Sequence, residues 1–154
     1  IMGGAIDCKG NVERFDHDGS AEWNFYYDPE AARKVIHSGL RIVLFTLDAI
    51  NNCPLRKEFY SDLAKHKKYS AAYYIGCSTT LFGIHVSDTM YMWDPVTTSY
   101  LGCEGLCKLV EREIDVELEN PSQGNTVEKK GSGCVIQFPV EMNRDKFEAY
   151  FIDL

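Results

Sequence analysis

The hydrophobic pattern predicts alternating strands and helices in the first half of the chain. Residues 1–5 have the character of a buried strand that ends in a Gly-Gly turn, and residues 28–38 carry the start signals of a helix, closed by Gly39. Residues 40–47 then form an almost uninterrupted apolar run of strand length. Since a helix followed by a strand across a short glycine turn is typical of parallel α/β proteins, the pattern predicts an α/β fold with a mainly parallel sheet flanked by helices.

Further helices are expected along the chain. One covers residues 54–66, where apolar residues recur four positions apart. Another is predicted over residues 69–85, with apolar residues that belong to a core rather than to a cofactor site. The last covers residues 144–154, with Asn143 as its N-cap.

Apolar and polar residues alternate more strongly towards the end of the chain. Residues 114–118 follow a strict two-residue period, which predicts a half-exposed strand. Two further strands are expected at residues 126–127 and 134–138, after a turn at residues 120–124. Together they make an irregular strand section near residues 114–140.

The size and the charge of the chain exclude some classes of function. Its 154 residues, 45% of them hydrophobic, are enough for one core, so a single domain is the simplest organisation. The net charge of -7 argues against a nucleic-acid partner, and the basic runs at residues 65–68 and 129–130 are short. No apolar stretch is long enough to span a membrane, and no signal peptide is visible.

The cysteines do not form a recognisable metal or disulfide pattern. Neither a Cys-x-x-Cys pair nor a Cys/His cluster at zinc spacing occurs. A disulfide framework is unusual in a chain with this much core, so free and mostly buried thiols in a reducing, cytoplasmic compartment are expected. The six cysteines are at positions 8, 53, 77, 103, 107 and 134.

A pair of polar side chains precedes the first predicted helix. Glu22 and Asn24 are two residues apart, and in an extended segment they share one face while Trp23 faces the other way. A carboxylate accepts hydrogen bonds and a carboxamide both donates and accepts them, so the pair suits a polyhydroxylated ligand. The alternative is a polar loop in which both side chains only satisfy nearby backbone groups, and the sequence leaves both interpretations open.

A helix-start motif occurs twice. In Asp28-Pro29-Glu30 the Asp caps free N–H groups, Pro fits the first helical position and Glu favours the positive end of the helix. Asp94-Pro95 repeats the first two features and predicts a second helix start. In another interpretation, which also stays open, the neighbouring Trp93 stacks on a flat ring while Asp94 faces a metal ion or a sugar.

Two more residues are candidates for a site. Asn11 lies in a polar, glycine-containing stretch, residues 8–21, that is expected to be a loop. Asp48 follows the apolar run of residues 40–47, at the edge of a parallel sheet where ligands commonly bind. Asp48 can equally cap the next element.

The order of these motifs resembles that of the nucleoside hydrolases, calcium-dependent N-ribohydrolases that cleave a nucleoside into base and ribose. The resemblance runs over essentially the whole chain, and its specificity comes from several motifs that keep their order and approximate spacing. These motifs are Met2-Gly3-Gly4, Gly10-Asn11, Ala21-Glu22-Trp23-Asn24, Asp28-Pro29-Glu30-Ala31-Ala32, Leu47-Asp48 and Trp93-Asp94.

Within the family, the chain looks like the purine-specific branch, which prefers inosine, adenosine and guanosine. That branch has a Trp before the late Asp, where the inosine–uridine-preferring branch has a His, and here the residue is Trp93. The branch also has a Trp between the Glu and the Asn, matched by Trp23, and a longer loop after Gly-Asn, matched by the interval from Asn11 to Glu22. The resemblance therefore implies a purine nucleosidase.

The resemblance also implies a role for each matching residue. Asn11, Glu22 and Asn24 would hold the ribose hydroxyls. Asp94 would bind Ca²⁺ and contact the ribose, while Trp93 would stack on the purine and favour its protonated form, which leaves more easily. These residue types fit the chemistry, because departure of the base leaves an oxocarbenium-like ribosyl group that hydroxyl contacts and nearby carboxylates stabilise.

One part of the family pattern is missing. The motif Asp-x-Asp-x-x-x-Asp-Asp, which in the family supplies most calcium ligands and the general base, does not occur in this sequence, and neither does a second stacking Trp in the N-terminal half. Residues 1–154 are therefore expected to be the C-terminal half of a single nucleoside hydrolase-like domain. Asp94 alone would hold Ca²⁺ poorly, because the ion takes roughly six to eight oxygen ligands, so the chain by itself is expected to be inactive.

The resemblance leaves two functional hypotheses open. In the first, the chain belongs to a purine nucleoside hydrolase that is completed by an N-terminal half or a second chain and forms a homo-oligomer when complete. In the second, it is a catalytically inactive relative that serves as a nucleoside-binding or interaction protein. Calcium-dependent release of ribose from inosine distinguishes them, since binding without turnover supports the second.

Overall fold

The computed structural model describes four stretches of the chain, which belong to two compact units. The stretches are residues 1–54, 57–65, 91–131 and 133–153. The first unit comprises Ile1–Ile50 and Cys107–Met142, and the second comprises the described residues of Asn51–Leu106 and Asn143–Leu154. The helix predicted over residues 69–85 lies outside the described residues, as do Leu55 and Cys77.

The first unit contains a three-stranded antiparallel sheet. Its strands are β1 (Cys107–Val116), β2 (Thr126–Glu128) and β3 (Cys134–Met142), in the order β2-β1-β3. The irregular strand section predicted near residues 114–140 is therefore confirmed. β1 begins earlier than predicted but ends at Val116 instead of residue 118, and β3 continues past its predicted end to Met142. A register irregularity between Lys108 and Leu109 interrupts their pairing.

The apolar run at residues 40–47 is joined to its neighbours by parallel bridges instead of a continuous strand. Val43 pairs with Gln137 of β3, and Phe45 pairs with Met2, both in parallel orientation. Leu47 already belongs to a short helix, α3 (Leu47–Ile50). These parallel pairings, the small sheet and the surrounding helices agree with the predicted α/β class, although the named strands of the described residues pair antiparallel.

The helix start at Asp28 is confirmed. α2 (Pro29–Ile36) has Pro29 in its first turn, and the side chain of Asp28 accepts the N–H of Ala31. The helix ends at Ile36, with His37 as its C-cap, and Gly39 follows with a φ of +75°, a left-handed conformation that glycine adopts readily.

The expectation of an extended segment at residues 22–24 is wrong. Trp23–Tyr27 form a short helix, α1, and only Glu22 is extended, with φ -94° and ψ 146°. The physical reason is that the Glu22 carboxylate accepts the N–H of Asn24 and so caps the helix. Glu22 and Asn24 therefore do not share the face of a strand.

The core of the first unit is built from the sheet, the parallel-bridged run and the two first helices. α2 contributes Ile36, with Ala32 packed beside it. Full burial of an aliphatic or aromatic side chain of this size stabilises the fold by about 1.5–3 kcal/mol. The buried members are Phe25, Ile36, Ile42, Leu44, Ile114, Val116, Ile136 and Phe138.

Within residues 114–118, which were predicted to be half exposed, residues 114–116 are all buried, so the prediction is wrong for them. Asp115, at the alternate position expected to face solvent, is 3% exposed. Three cationic or ionisable side chains surround its carboxylate, namely Arg33, His37 and Lys129. These partners allow a charged residue to occupy a buried position, which the two-residue period does not reveal.

The second unit contains three helices within its described residues, namely α4 (Lys57–Lys65), α5 (Trp93–Ser99) and α6 (Arg144–Asp153). The first and last of them confirm predicted helices. Asn143 caps α6 as predicted, because its Oδ1 accepts the N–H of Lys146 at 3.0 Å. A small apolar cluster holds this unit together, made of Phe59, Leu63, Met92, Phe151 and Ile152.

Two further expectations concern the membrane and the thiols. No helix in the described part of the chain is long and apolar enough to cross a bilayer. Every cysteine that the structure describes is a free thiol, and of these Cys53 and Cys103 are buried. The partly buried thiols are Cys8, Cys107 and Cys134.

Candidate functional site

Asn11 stands at the base of a loop whose two ends meet. The N–H groups of Asn11 and Val12 both donate to the carbonyl oxygen of Ala21, at 3.0 and 3.3 Å. Gly10 permits this closure, since a Cβ there would lie 2.0 Å from the same oxygen. Asn11 Oδ1 accepts the N–H of Trp23 at 2.9 Å, so the loop base is fixed to the first turn of α1.

A second set of contacts holds the middle of this loop. His17 Nδ1 accepts the N–H of Gly19 at 2.9 Å, which leaves Nε2 as the nitrogen that donates to the carbonyl of Gln123 at 3.0 Å. The side chain of His17 is 0% exposed. The N–H of Asp18 donates to the carbonyl of Pro121 at 3.0 Å. The loop is therefore attached to the turn that precedes β2.

The amide nitrogen of Asn11 has no hydrogen-bond partner among the described residues, although it is buried. A buried donor left without an acceptor costs about 1–3 kcal/mol. Native structures contain few such groups, and each requires an explanation. An acceptor oxygen of a ligand would satisfy this donor.

Glu22 is 1% exposed and its carboxylate binds backbone groups. Oε2 accepts the N–H of Gly4 at 3.1 Å and the N–H of Asn24 at 3.0 Å. These bonds fix the Gly-Gly turn against α1, as the simpler of the two interpretations of the sequence expects. A ligand contact of Glu22 stays a prediction.

Asn24 is exposed and lies against the start of the chain. Its Nδ2 is 3.4 Å from the carbonyl oxygen and 3.1 Å from the sulfur of Met2. A cavity of about 290 Å³ opens beside these two residues, with α2 as its largely apolar wall. Its lining comprises Ile1, Met2, Asn24, Phe25, Asp28, Ala31, Ala32, Val35 and Ile36.

The first unit thus brings three of the predicted site residues together. Asn11, Glu22 and Asn24 all belong to, or bond with, the first turn of α1. Trp23 lies between them in sequence, with the ring of Tyr26 edge-on at 5.5 Å and the ring of Tyr27 tilted at 5.5 Å.

Asp48 binds the backbone of the segment that follows the Gly-Gly turn. Its carboxylate accepts the N–H of Ile6 at 3.0 Å and of Asp7 at 2.7 Å. Burial by itself raises the pKa of Asp48, but these hydrogen bonds and one from the side chain of Thr46 outweigh it, so the pKa lies below its ordinary value. Burial and the neighbouring charge of Asp48 raise the pKa of Cys8 to about 12.

The helix start expected at Asp94-Pro95 is wrong in its position. α5 begins at Trp93, and its N-cap is Met92, which makes no side-chain cap. Asp94 is exposed in the first turn of α5, and Pro95 follows it in the sequence. The start is earlier because contacts outside the motif fix Met92 and Trp93, including a bond of 3.4 Å from the Met92 N–H to the carbonyl of Cys53.

The indole of Trp93 is held at its edge and over one face. Nε1 donates to Oδ1 of Asn51 at 3.1 Å. The ring of Tyr91 stacks on the indole with a centroid distance of 5.6 Å and an interplanar angle of 7°. Neither Asn51 nor Tyr91 stands out in the sequence, because the first belongs to no motif and the second is one aromatic in a run of apolar residues.

The described residues do not build a calcium site by themselves. Within the stretches that the structure covers, no group of three or more His, Cys, Asp or Glu side chains could hold a metal ion. Asp94 offers one exposed carboxylate, whereas Ca²⁺ takes roughly six to eight oxygens. Any Ca²⁺ would need most of its ligands from elsewhere.

A protein-family model identifies the family of this chain. The family model described as inosine-uridine preferring nucleoside hydrolase matches residues 1–149. The chain belongs to this family. The family assignment confirms the resemblance inferred from the motifs.

Curated nucleoside hydrolases are among the relatives of the chain. It is 32% identical over 128 residues to the non-specific ribonucleoside hydrolase RihC of Klebsiella pneumoniae, covering 82% of this chain and 40% of the relative. It is 30% identical over 149 residues to the pyrimidine-specific ribonucleoside hydrolase RihA of Salmonella newport, covering 82% of this chain and 41% of the relative. The chain therefore spans less than half the length of these nucleoside hydrolases.

Solved structures of nucleoside hydrolases share the fold. The inosine-uridine preferring nucleoside hydrolase from Bacillus anthracis superposes with a TM-score of 0.85 at 34% identity, covering 99% of this chain and 48% of that one. The purine-preferring ribonucleoside hydrolase from Gardnerella vaginalis superposes with a TM-score of 0.76 at 20% identity, covering 98% of this chain and 49% of that one. The α/β nucleoside hydrolase fold is confirmed. The purine-specific branch stays a prediction, because the relatives include non-specific and pyrimidine-specific enzymes as well as a purine-preferring one.

Proposed function

We propose that this chain takes part in the hydrolysis of the N-glycosidic bond of purine ribonucleosides, together with the portion of the family fold that lies outside these 154 residues. Membership in the nucleoside hydrolase family supports the reaction type. The observation that carries the proposal for this chain is the buried amide nitrogen of Asn11, which lacks an acceptor among the described residues. A ribose hydroxyl would supply that acceptor.

In this proposal the first turn of α1 recognises the ribose. Asn11 donates from Nδ2, while its Oδ1 stays bonded to the Trp23 N–H and fixes the direction of the donor. Asn24 presents an exposed carboxamide, which both donates to and accepts from hydroxyls. The buried charge of Glu22 stabilises the positive charge that develops on the ribosyl group as the base departs.

Trp93 supports the purine preference. An indole is the best aromatic surface for a cation, so stacking would favour a protonated purine as the leaving group. Asp94 follows directly and would contribute one carboxylate to a Ca²⁺ ion held mainly by residues outside this chain. The non-specific and pyrimidine-specific relatives make the substrate range the first thing to measure.

The location and assembly of the protein are also part of the proposal. The free thiols of the described residues support a cytoplasmic location, where thiols stay reduced. Mass spectrometry of the denatured protein should reveal a second polypeptide or a mass above 17.5 kDa. A homo-oligomer is expected for the completed protein.

The test is an assay of ribose release by the purified complete protein, including any second polypeptide that it contains. Inosine, guanosine, uridine and cytidine are compared, each with added Ca²⁺ and with a chelator. Purine nucleosides should be cleaved faster, and chelation should abolish turnover. Equal rates on purine and pyrimidine nucleosides would contradict the proposed purine preference. Turnover that is unaffected by the chelator would contradict the proposed requirement for Ca²⁺.

A pair of variants tests the ribose site. Asn24→Ala removes an exposed carboxamide and leaves the N–H that Glu22 binds, so the fold should persist while kcat/KM falls at least tenfold. Asn120→Ala changes an exposed Asn in the turn before β2 and should leave kcat/KM unchanged. Equal kcat/KM values for the two variants would contradict the proposed contact between Asn24 and the ribose.

One observation favours a second function, that of a catalytically inactive nucleoside-binding or interaction protein. The described residues do not supply the ligand set that a calcium-dependent hydrolase needs. If a single polypeptide of 17.5 kDa binds inosine but releases no ribose, this second function is the better one.

A further inference from the structure

We propose that Asn51 is a positioning residue for Trp93, and that its hydrogen bond to the indole strengthens the stacking of that ring on a positively charged purine. The inference rests on the proposed function, because it assigns the base to Trp93. The structural observation behind the inference is the hydrogen bond of 3.1 Å from Trp93 Nε1 to Asn51 Oδ1.

The backbone holds these two side chains opposite each other. Asn51 follows the end of α3, and the segment after it runs beside the residues that precede α5. The N–H of Met92 donates to the carbonyl of Cys53 at 3.4 Å, and Pro54 forms an antiparallel bridge with Tyr91. This backbone pairing therefore places the side-chain amide of Asn51 at the edge of the indole of Trp93.

The contacts of Trp93 fix the plane of its ring. The hydrogen bond restrains the indole at its edge, and the ring of Tyr91, inclined by only 7°, restrains it over one face. A ring whose plane is already fixed loses less side-chain freedom when a base stacks on it. Tyr91 alone would allow the indole to slide within its plane, whereas the bond to Asn51 sets its position.

The hydrogen bond also changes the electron distribution of the indole. When Nε1–H donates to a carbonyl oxygen, the donor group is polarised and electron density shifts towards the ring. The attraction of a cation to an aromatic face depends on that density. Asn51 should therefore matter most when the stacked purine carries a positive charge.

In an ordinary nucleoside the purine is neutral at the start. Its positive charge first appears in the transition state, as the protonated purine departs. An interaction that is stronger in the transition state than in the ground state raises kcat. With 7-methylguanosine, whose purine is positively charged at the start, the same interaction exists in both states and should affect KM instead. The two substrates therefore separate this role of Asn51 from a purely structural one.

The experiment compares Asn51→Leu, Asn51→Asp and Asn52→Ala in the isolated protein with all of its chains. Asn51→Leu removes the acceptor, so kcat for inosine should fall about tenfold with little change in KM, whereas KM for 7-methylguanosine should rise with little change in kcat. Asn51→Asp keeps an acceptor oxygen and should restore most of the kcat for inosine. Asn52→Ala changes the adjacent exposed Asn and should behave as the unsubstituted protein.

The outcomes are distinguishable. If Asn51→Leu equals Asn52→Ala on both nucleosides, or lowers kcat equally on both together with the thermal unfolding temperature, the positioning role of Asn51 is overturned while the hydrolase assignment stands. If the unsubstituted protein cleaves neither nucleoside, the proposed function fails, and the inference fails with it.

Discussion

Arg33 and Asp115 form a two-pronged ion pair across the first unit, with Nε and Nη2 of the guanidinium each 2.9 Å from a different carboxylate oxygen. His37 Nε2 lies 2.9 Å and Lys129 Nζ 3.2 Å from the same carboxylate. The pair joins α2 to β1, and Lys129 extends the contact to the residue after β2. One buried carboxylate thus organises cationic groups that are distant in the sequence.

Replacing this carboxylate should destabilise the protein. Asp115→Asn puts an amide donor against the donors of Arg33 and Lys129, and should lower the free energy of unfolding by about 2 kcal/mol, the order expected for hydrogen bonds to a charged group. Urea denaturation followed by circular dichroism measures the change. The control is Asp16→Asn, since Asp16 is exposed and 3.7 Å from Arg14, and it should stay within about 0.5 kcal/mol. Similar losses in both variants would contradict a special role for the buried ion pair.

The same carboxylate predicts a pH dependence. Burial raises the pKa of Asp115, but hydrogen bonds from His37, the Val116 N–H, Lys129 and Arg33 outweigh it and hold the pKa well below its usual range. A lowered pKa in the folded state gives stability that is fully present above the unfolded pKa of about 3.9 and is lost as the pH falls towards the folded pKa.

The expected result is a difference in unfolding free energy between the unsubstituted protein and Asp115→Asn that narrows as the pH falls below about 4. Denaturation midpoints at a series of pH values measure it. A difference that grows below about pH 4 would show that Asp115 is not the charged partner in the folded protein.

The thiol of Cys8 should react slowly with alkylating reagents. Burial and the nearby Asp48 carboxylate raise its pKa to about 12, so very little thiolate is present at pH 8. We expect iodoacetamide to modify Cys8 at least about tenfold more slowly in the folded protein than in urea, even after allowing for the greater reactivity of a more basic thiolate. Peptide mapping by mass spectrometry measures both rates. Equal rates would mean that the environment described around Cys8 is wrong.

Two glycines with nearly the same backbone allow a matched test of close packing. Gly4 and Gly39 have φ of +78° and +75°. A Cβ at Gly4 would lie 2.7 Å from Thr126 Oγ1, whereas a Cβ at Gly39 meets nothing within 4 Å. Gly39→Ala should cost about 1 kcal/mol from backbone strain, and Gly4→Ala should cost about 1–3 kcal/mol more.

Urea denaturation of the two alanine variants gives the difference. A double-mutant cycle with Thr126→Ala identifies its source, because Gly4→Ala should be less costly when the threonine side chain is absent. If the cost of Gly4→Ala is the same with and without Thr126, the close approach to the hydroxyl is not its cause.

Local chemistry made several elements predictable. The cap at Asp28 and the cap at Asn143 each satisfy an N–H within the next three residues, so a short window of sequence contains all the interacting groups. The turn at residues 120–124 is also built from turn-forming residues next to one another in the sequence. These parts of the fold agree with expectation.

The errors arise where a distant residue decides the conformation. Asp115 is buried because Arg33, 82 positions away, comes to it, and a two-residue period carries no information about that partner. Glu22 caps α1 through the nearby Asn24 N–H, but the bond that buries its carboxylate against the Gly4 N–H, 18 positions away, is not evident from the local pattern. At Trp93, contacts with residues 51–53 place the helix start earlier than the Asp-Pro motif indicates.

The candidate residues come from the motifs, whereas their geometry was less predictable from the sequence. Asn11, Glu22 and Asn24 were identified by motif order, but the buried and unsatisfied nitrogen of Asn11 becomes evident only once the loop closes on Ala21. Asn51 had no signal of any kind in the sequence. Its side-chain contact with Trp93 spans 42 positions.

The attachment of the Asn11 loop has a consequence for its motion. Its base is tied to Ala21 and to the first turn of α1, and its middle is tied through His17 and Asp18 to the turn before β2. To swing away, the loop would have to release all of these bonds at once, which makes opening a cooperative and rare event. In hydrogen exchange, the amides of Asn11, Asp18 and Trp23 would then become accessible in a single step.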